Sequence, residues 1–178
     1  MSYILKIFFA LILIVLFSIN LAFSKSIRIA ILGDSLIAGY GLEEKNGFIK
    51  KLENKIQLTR DNINVINGGV SGETSSGLKN RLNWVLEDKY DGVIIATGSN
   101  DALRGISPNI VYENLDFILN NLKKRGIPSM LIGMKAPNNL GKKYVNSFNR
   151  LYPSLSQKYQ TNFYPFLLAD VALICSAF

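Results

Sequence analysis

The 178-residue chain contains no histidine. Histidine is the commonest side-chain general base near neutral pH and the commonest metal ligand, so acid–base and metal chemistry both lose their usual residue. The single cysteine, Cys175, has no partner within the chain, which excludes an internal disulfide framework. Phosphate-cradling loops are missing too. Neither G-x-G-x-x-G nor a P-loop occurs, and no glycine-rich loop joins the first apolar strand directly to its helix, which disfavours a nucleotide- or flavin-binding domain. Acidic residues are in the minority, 13 against 20 Lys and Arg, for a formal net charge of +7. The basic residues are dispersed, with Lys50-Lys51, Lys123-Lys124-Arg125 and Lys142-Lys143 as the densest groups, and none sits in an aromatic ladder or nucleic-acid motif. They read as solvated helix faces. No nucleic-acid partner is expected, whereas a peripheral attraction to anionic membrane surfaces or to anionic head groups follows from the charge. Repeats, linkers and low-complexity segments are absent, and the length suits one domain.

Long hydrophobic runs are confined to the start, which lifts the apolar content to 48%. Lys6 supplies a weak positive region, 7–17 is almost wholly apolar, and Ala22-Phe23-Ser24 places small residues where a signal peptidase reads them. A cleaved signal peptide over 1–24 is expected, giving a periplasmic or secreted protein. The alternative is an uncleaved N-terminal membrane anchor, although the run is shorter than the roughly 20 apolar residues of a full span.

After this leader, apolar β-rich runs alternate with amphipathic stretches. Strands are expected over 27–32, 62–66, 92–97 and 128–134, with a short fifth strand and its exit over 162–168. Helices are expected over 48–58, 78–86, from Pro108 to a stop at Gly126, and over 144–159, where Pro153 stands to kink or divide the last one. Ser107-Pro108 suits an N-cap and first turn. The alternation implies an α/β fold with a parallel sheet and helices on both faces. Right-handed crossovers then gather every strand-to-helix loop on one edge, where open α/β sheets place their ligands.

Those loops, at 33–47, 67–77, 98–107 and 135–141, carry the candidate chemistry. Ser35 follows the first strand in Gly33-Asp34-Ser35-Leu36. Gly72 lies in Val70-Ser71-Gly72-Glu73-Thr74, where the lack of a side chain lets a backbone N–H approach a ligand closely. Asn100 lies in Gly98-Ser99-Asn100-Asp101, and its amide can donate to an oxyanion. Each of these alone reads as an ordinary turn residue or Asx-turn. At three matching loop positions, one site is the more economical reading: a nucleophilic hydroxyl facing two hydrogen-bond donors.

These blocks resemble the first three of the SGNH (GDSL) hydrolases, and are closest to the bacterial thioesterase I / lysophospholipase / arylesterase group. Ala38-Gly39-Tyr40-Gly41, Asn100-Asp101-Ala102-Leu103-Arg104-Gly105 and the stretch from Lys135-Ala136-Pro137-Asn138-Asn139 to Tyr144 add to the likeness, which covers about 27–173. The resemblance implies a flavodoxin-like, three-layer α/β/α fold with a five-stranded parallel sheet. It implies Ser35 as nucleophile and, through its own N–H, one oxyanion donor, with the Gly72 N–H and the Asn100 amide completing the hole. It places Asn138 and Asn139 on the substrate side. The reaction implied is hydrolysis of small acyl esters or thioesters through an acyl-enzyme, with no metal or cofactor. Asp34 and Asp101 are expected to brace their turns; Arg104 and Asp101 are placed either to pair on the rim or to form a solvated pair worth little.

The family carries a catalytic Asp-x-x-His after its fifth strand, followed by a final helix. No Asp-x-x-His occurs here, and Asp170 is not its equivalent because nothing basic follows. The expectation is a domain over 25–173 that is incomplete at its carboxyl end, with its final helix missing and an aberrant tail at 174–178. Such a chain is inactive or severely impaired, since a serine hydroxyl needs an adjacent base. Glu73 and Lys142 are the substitute bases that loop placement offers. From a different class, a non-catalytic exported protein could hold acyl or glycan ligands in the same cleft.

Overall fold

Residues 25–169, together with Tyr3, are described by this computed structural model. The leader over 1–24 and the tail at 174–178 lie outside the described residues, Tyr3 apart. No helix among the described residues is long and apolar enough to cross a membrane.

Five strands form one sheet: β1 (Ile27–Gly33), β2 (Ile63–Gly69), β3 (Gly92–Ala96), β4 (Ser129–Ile132) and β5 (Asn162–Tyr164), in the order β2-β1-β3-β4-β5. Every neighbouring pair is parallel. The register sets Gly33 opposite Gly69 on one side and opposite Ala96 on the other, so β1, β2 and β3 end level with one another. The first strand therefore lies between the second and third, and its exit loop is flanked by theirs.

The helices are α1 (Ser35–Ala38), α2 (Phe48–Gln57), α3 (Ser75–Val85), α4 (Ser99–Leu103), α5 (Pro108–Lys124) and α6 (Lys142–Tyr159). The two sheet faces are covered differently. Ala30, Leu32, Val93, Ile95 and Leu131 share one face by register and are fully sealed. Above it α3, α5 and α6 pack side by side, with Leu78, Leu82, Leu115, Ile118, Leu119, Leu122 and Leu155 fully buried. Each such side chain contributes roughly 1.5–3 kcal/mol of transfer free energy. On the other face α1 and α2 cover β1 and β2, with Ile37 and Ile49 pointing inward. Further along that face Ile29, Ile94 and Met130 remain half-buried and line a shallow groove of about 200 Å³.

Several boundaries differ from those expected. The strand expected over 62–66 runs on to Gly69, because its glycines permit contacts that a side chain would block. A Cβ on Gly69 would stand 2.3 Å from the backbone nitrogen of Ala38. The loop expected over 33–47 contains α1 and a 3-10 turn, Glu44–Asn46, and the loop over 98–107 contains α4. The helix expected from Leu78 starts at Ser75, capped by Thr74, whose hydroxyl accepts from the Gly77 N–H. Ser107 stands at the N-cap of α5 with Pro108 following, but its side chain makes no capping bond. Pro153 lies inside α6 without dividing it. A single proline removes one helix hydrogen bond, and Phe148, Tyr152 and Leu155, all fully buried, hold the helix across that point.

Candidate active site

The site is built at the level ends of β1, β2 and β3. Gly33 closes β1 against β3 so tightly that a Cβ would meet the Ala96 carbonyl at 2.3 Å. The chain then turns through Asp34, which is fully buried and caps α1. One carboxylate oxygen accepts from the Leu36 N–H at 3.0 Å, and the other accepts from the Ser99 hydroxyl. Ser35 is thereby fixed as the first residue of a helix, where its N–H has no intrahelical carbonyl to bond. Its side chain is half-buried, and its hydroxyl makes no hydrogen bond among the described residues.

Gly72 is the third residue of a turn in which the Glu73 N–H donates to Val70 O at 3.1 Å. Its φ is +77°, the positive value that a type II turn requires in third place. The Gly72 N–H makes no hydrogen bond among the described residues, so it remains a free donor. Asn100 is the second residue of α4. The approach to it depends on Gly98, with φ +116°, where a Cβ would overlap the Tyr152 hydroxyl at 2.1 Å. That hydroxyl donates to Thr97 O at 3.0 Å and is deeply buried. Burial first, then the nearby Asp101 and Asp34 carboxylates, push the Tyr152 pKa well above its ordinary value. Asn100 Nδ2 donates to Glu73 O at 3.0 Å, which spends one of its two amide hydrogens and orients the other.

A series of hydrogen bonds joins the three loops. The Val70 N–H donates to Gly33 O, Ser99 to Asp34, Asn100 to Glu73 O and Arg104 Nη2 to Gly72 O at 2.9 Å. Ser35, Gly72 and Asn100 are thus each next to, or part of, a bonded pair that reaches a neighbouring loop.

Three sequence expectations need correcting here. Arg104 does not pair with Asp101. The Asp101 side chain is fully buried and accepts from Ser75 N at 2.8 Å and Ser75 Oγ at 2.6 Å, with Asn114 bonded in turn to Ser75 and Ser76. Asp101 therefore braces the start of α3 rather than its own turn, and burial removes it from the rim where Arg104 lies. Glu73 is no free base either. Arg81 grips both of its carboxylate oxygens at 2.6 and 2.7 Å and also donates to Gly68 O. Its side chain is only 6% exposed, and both oxygens are already committed to a bidentate pair. Lys142 opens α6 and is exposed. Asn138 and Asn139 are exposed on the 3-10 turn Asn138–Leu140 after β4. They share the edge but stand two strands from β1, and their side chains bond to none of the loops among the described residues.

Sequence reasoning missed Ser99, Ser75, Arg81 and Tyr152 as supports. The only available signal was the cluster of small polar residues around each glycine, which marks a turn without saying what it bonds to.

Comparison with known proteins agrees with this architecture. Residues 31–175 match the model of the GDSL-like Lipase/Acylhydrolase family. The arylesterase of Vibrio mimicus is 32% identical over 160 residues, covering 89% of this chain and 80% of that protein. The thioesterase 1/protease 1/lysophospholipase L1 of Escherichia coli K12 is 32% identical over 144 residues, covering 80% and 68%. Among solved structures, AlinE4, an SGNH-hydrolase family esterase, matches with a TM-score of 0.83 at 41% identity, over 88% of this chain and 85% of that one. The five-stranded parallel sheet with its flanking helices is the fold of an SGNH-type hydrolase. The chain belongs to the GDSL-like lipase/acylhydrolase family, a class of carboxylic-ester hydrolases.

Proposed function

We propose that this chain carries a serine esterase/thioesterase site for small acyl esters or thioesters. In this reading Ser35 Oγ attacks the acyl carbonyl, the alcohol or thiol leaves, and water releases the acid from the acyl-enzyme. The negative charge that develops on the carbonyl oxygen is held by the Ser35 N–H, the Gly72 N–H and the second hydrogen of Asn100 Nδ2. Such preorganised donors are among the largest contributors to acyl-transfer catalysis. The observation that carries this reading is the bonding pattern at the sheet edge. The side chains of Asp34 and Arg104 and the Glu73 carbonyl are engaged in ties between the loops, while the Ser35 hydroxyl, the Ser35 and Gly72 N–H groups and one hydrogen of Asn100 Nδ2 make no hydrogen bond among the described residues. The names of the arylesterase and thioesterase relatives support the substrate class.

The reading includes a low rate. No histidine occurs in the 178 residues, and Glu73, the nearest carboxylate of the second loop, is held by Arg81. Loss of the histidine from a serine triad lowers kcat by on the order of 10⁶, with about 10³–10⁴ over water left to the oxyanion hole and binding. The same absence favours a second reading, a non-catalytic protein that holds acyl or glycan ligands in this cleft. Export to the periplasm or the exterior, with removal of 1–24, is supported by the apolar run and by Ala22 and Ser24. Retention of that run as an anchor is the other outcome, and the basic surface is compatible with peripheral membrane contact.

Hydrolysis of a short-chain aryl ester by the chain and by its Ser35→Ala form tests the first reading. A slow rate above buffer that disappears with Ser35→Ala supports it. Saturable binding of the ester, with a rate equal to buffer in both forms, supports the second.

A further inference from the structure

Arg104 is exposed at the C-cap of α4, yet its guanidinium is engaged. Nη2 donates to Gly72 O at 2.9 Å and stands 3.8 Å from the position a Cβ on Gly72 would occupy. The carboxylate that spacing offered it, Asp101, is buried and bonded to Ser75. Nothing else on the side chain explains why it lies across the second loop.

The bond acts on one particular peptide. Gly72 O belongs to the peptide unit between Gly72 and Glu73, whose N–H donates to Val70 O. That unit is therefore held at both ends. The preceding unit, between Ser71 and Gly72, carries the free N–H. Glycine accepts either sign of φ, so the central unit of a turn with glycine in third place is free to flip between the type I and type II orientations. A flip would reverse the direction of the Gly72 N–H. Fixing the next unit from outside the turn opposes that flip, and a donor bearing full charge makes the stronger class of hydrogen bond. Asn100, one turn earlier on α4, holds Glu73 O in the same way. One short helix thus grips two successive carbonyls of the second loop.

We propose that Arg104 is a positioning residue of the oxyanion loop, keeping the Gly72 N–H turned toward the acyl oxygen by holding the Gly72–Glu73 peptide from α4. Its consequence for catalysis rests on the esterase reading, whereas its effect on the loop does not.

The test uses the 178-residue chain and its Arg104→Ala and Arg104→Lys forms. In Arg104→Ala the Glu73 amide, bonded to Val70 O, exchanges about tenfold faster with solvent, as loss of a charged hydrogen bond predicts. The Gly72 amide resonance moves, while core amides such as that of Leu119 and the melting temperature stay put. Ser35-dependent hydrolysis of the aryl ester loses kcat by a similar factor with KM unchanged. Arg104→Lys, which keeps a charged donor, recovers most of both effects. Unmoved Gly72 and Glu73 amides in Arg104→Ala would overturn the proposal, as would exchange rising across the whole fold. So would an unchanged kcat where hydrolysis depends on Ser35. A rate indifferent to Ser35→Ala, with the Gly72 and Glu73 amides still responding to Arg104→Ala, would instead overturn the esterase reading and leave the loop effect standing.

Discussion

Gly72 holds a φ of +77° in a turn, and its N–H makes no hydrogen bond among the described residues. Alanine there meets strain from its own backbone whatever space surrounds it. Gly72→Ala is expected to relax toward the turn with the reversed peptide and so to withdraw one donor. Removing a single oxyanion-hole donor costs about 10²–10³ in kcat, so both Gly72→Ala and Asn100→Ala should lower the Ser35-dependent rate by that order, with little change in KM. A rate unchanged by Asn100→Ala would remove Asn100 from the site. Thr97 behaves differently. Its hydroxyl is fully buried and has no partner among the described residues. An unsatisfied buried polar group costs about 1–3 kcal/mol, so Thr97→Val, which keeps the shape, should raise the urea midpoint. A clear loss of stability would show that the hydroxyl does have a partner.

The short elements at the sheet edge are held by side-chain bonds rather than by their own length, and this decides what was legible in the sequence. The strands and longer helices could be read because their apolar residues repeat with different periods. Helices α1 and α4, of four and five residues, have no room to display a period. They exist because Asp34 caps one and Gly98 turns into the other. Gly33-Asp34-Ser35 and Gly98-Ser99-Asn100 could be placed on one edge from the β/α alternation, but the strand order that sets β1 between β2 and β3 could not. Neither could Arg104's partner, because helical spacing favoured Asp101 and only burial shows that Asp101 faces inward. The Arg81–Glu73 pair is such an element-level tie. Arg81→Ala leaves a nearly buried carboxylate without its cation, which should cost on the order of 3 kcal/mol in urea unfolding. A loss under about 1 kcal/mol would mean the pair is solvated. The sheet faces offer a second check. Ile95 is fully buried and Ile94 half-buried on the opposite face. Ile95→Ala is expected to cost about 2–5 kcal/mol and Ile94→Ala clearly less. Equal losses would contradict the register.

Across the whole molecule, stability and activity respond to different groups. Tyr152, at the centre of the helical layer, ties α6 to the end of β3 and is kept neutral by burial and by the carboxylates of Asp101 and Asp34. Its folded pKa lies above the ordinary tyrosine value of 10.0, so its contribution is present in full below that pH and is lost as pH rises toward the folded value. The unfolding free energy should therefore fall more steeply above about pH 10 in the wild-type chain than in Tyr152→Phe. Equal slopes would show that Tyr152 ionises as readily folded as unfolded. Under the proposed esterase reading, activity requires instead a proton acceptor for Ser35, and among the described residues Glu73 is held by Arg81. The most direct measurement is aryl-ester hydrolysis by three proteins: the 178-residue chain, the same chain extended at its carboxyl end by an Asp-x-x-His segment of its family, and the extended chain carrying Ser35→Ala. A low rate in the first, a rise of several orders of magnitude in the second and its loss in the third is the predicted result. A well-folded extended chain without Ser35-dependent hydrolysis would contradict the assignment of Ser35, Gly72 and Asn100 as an esterase site.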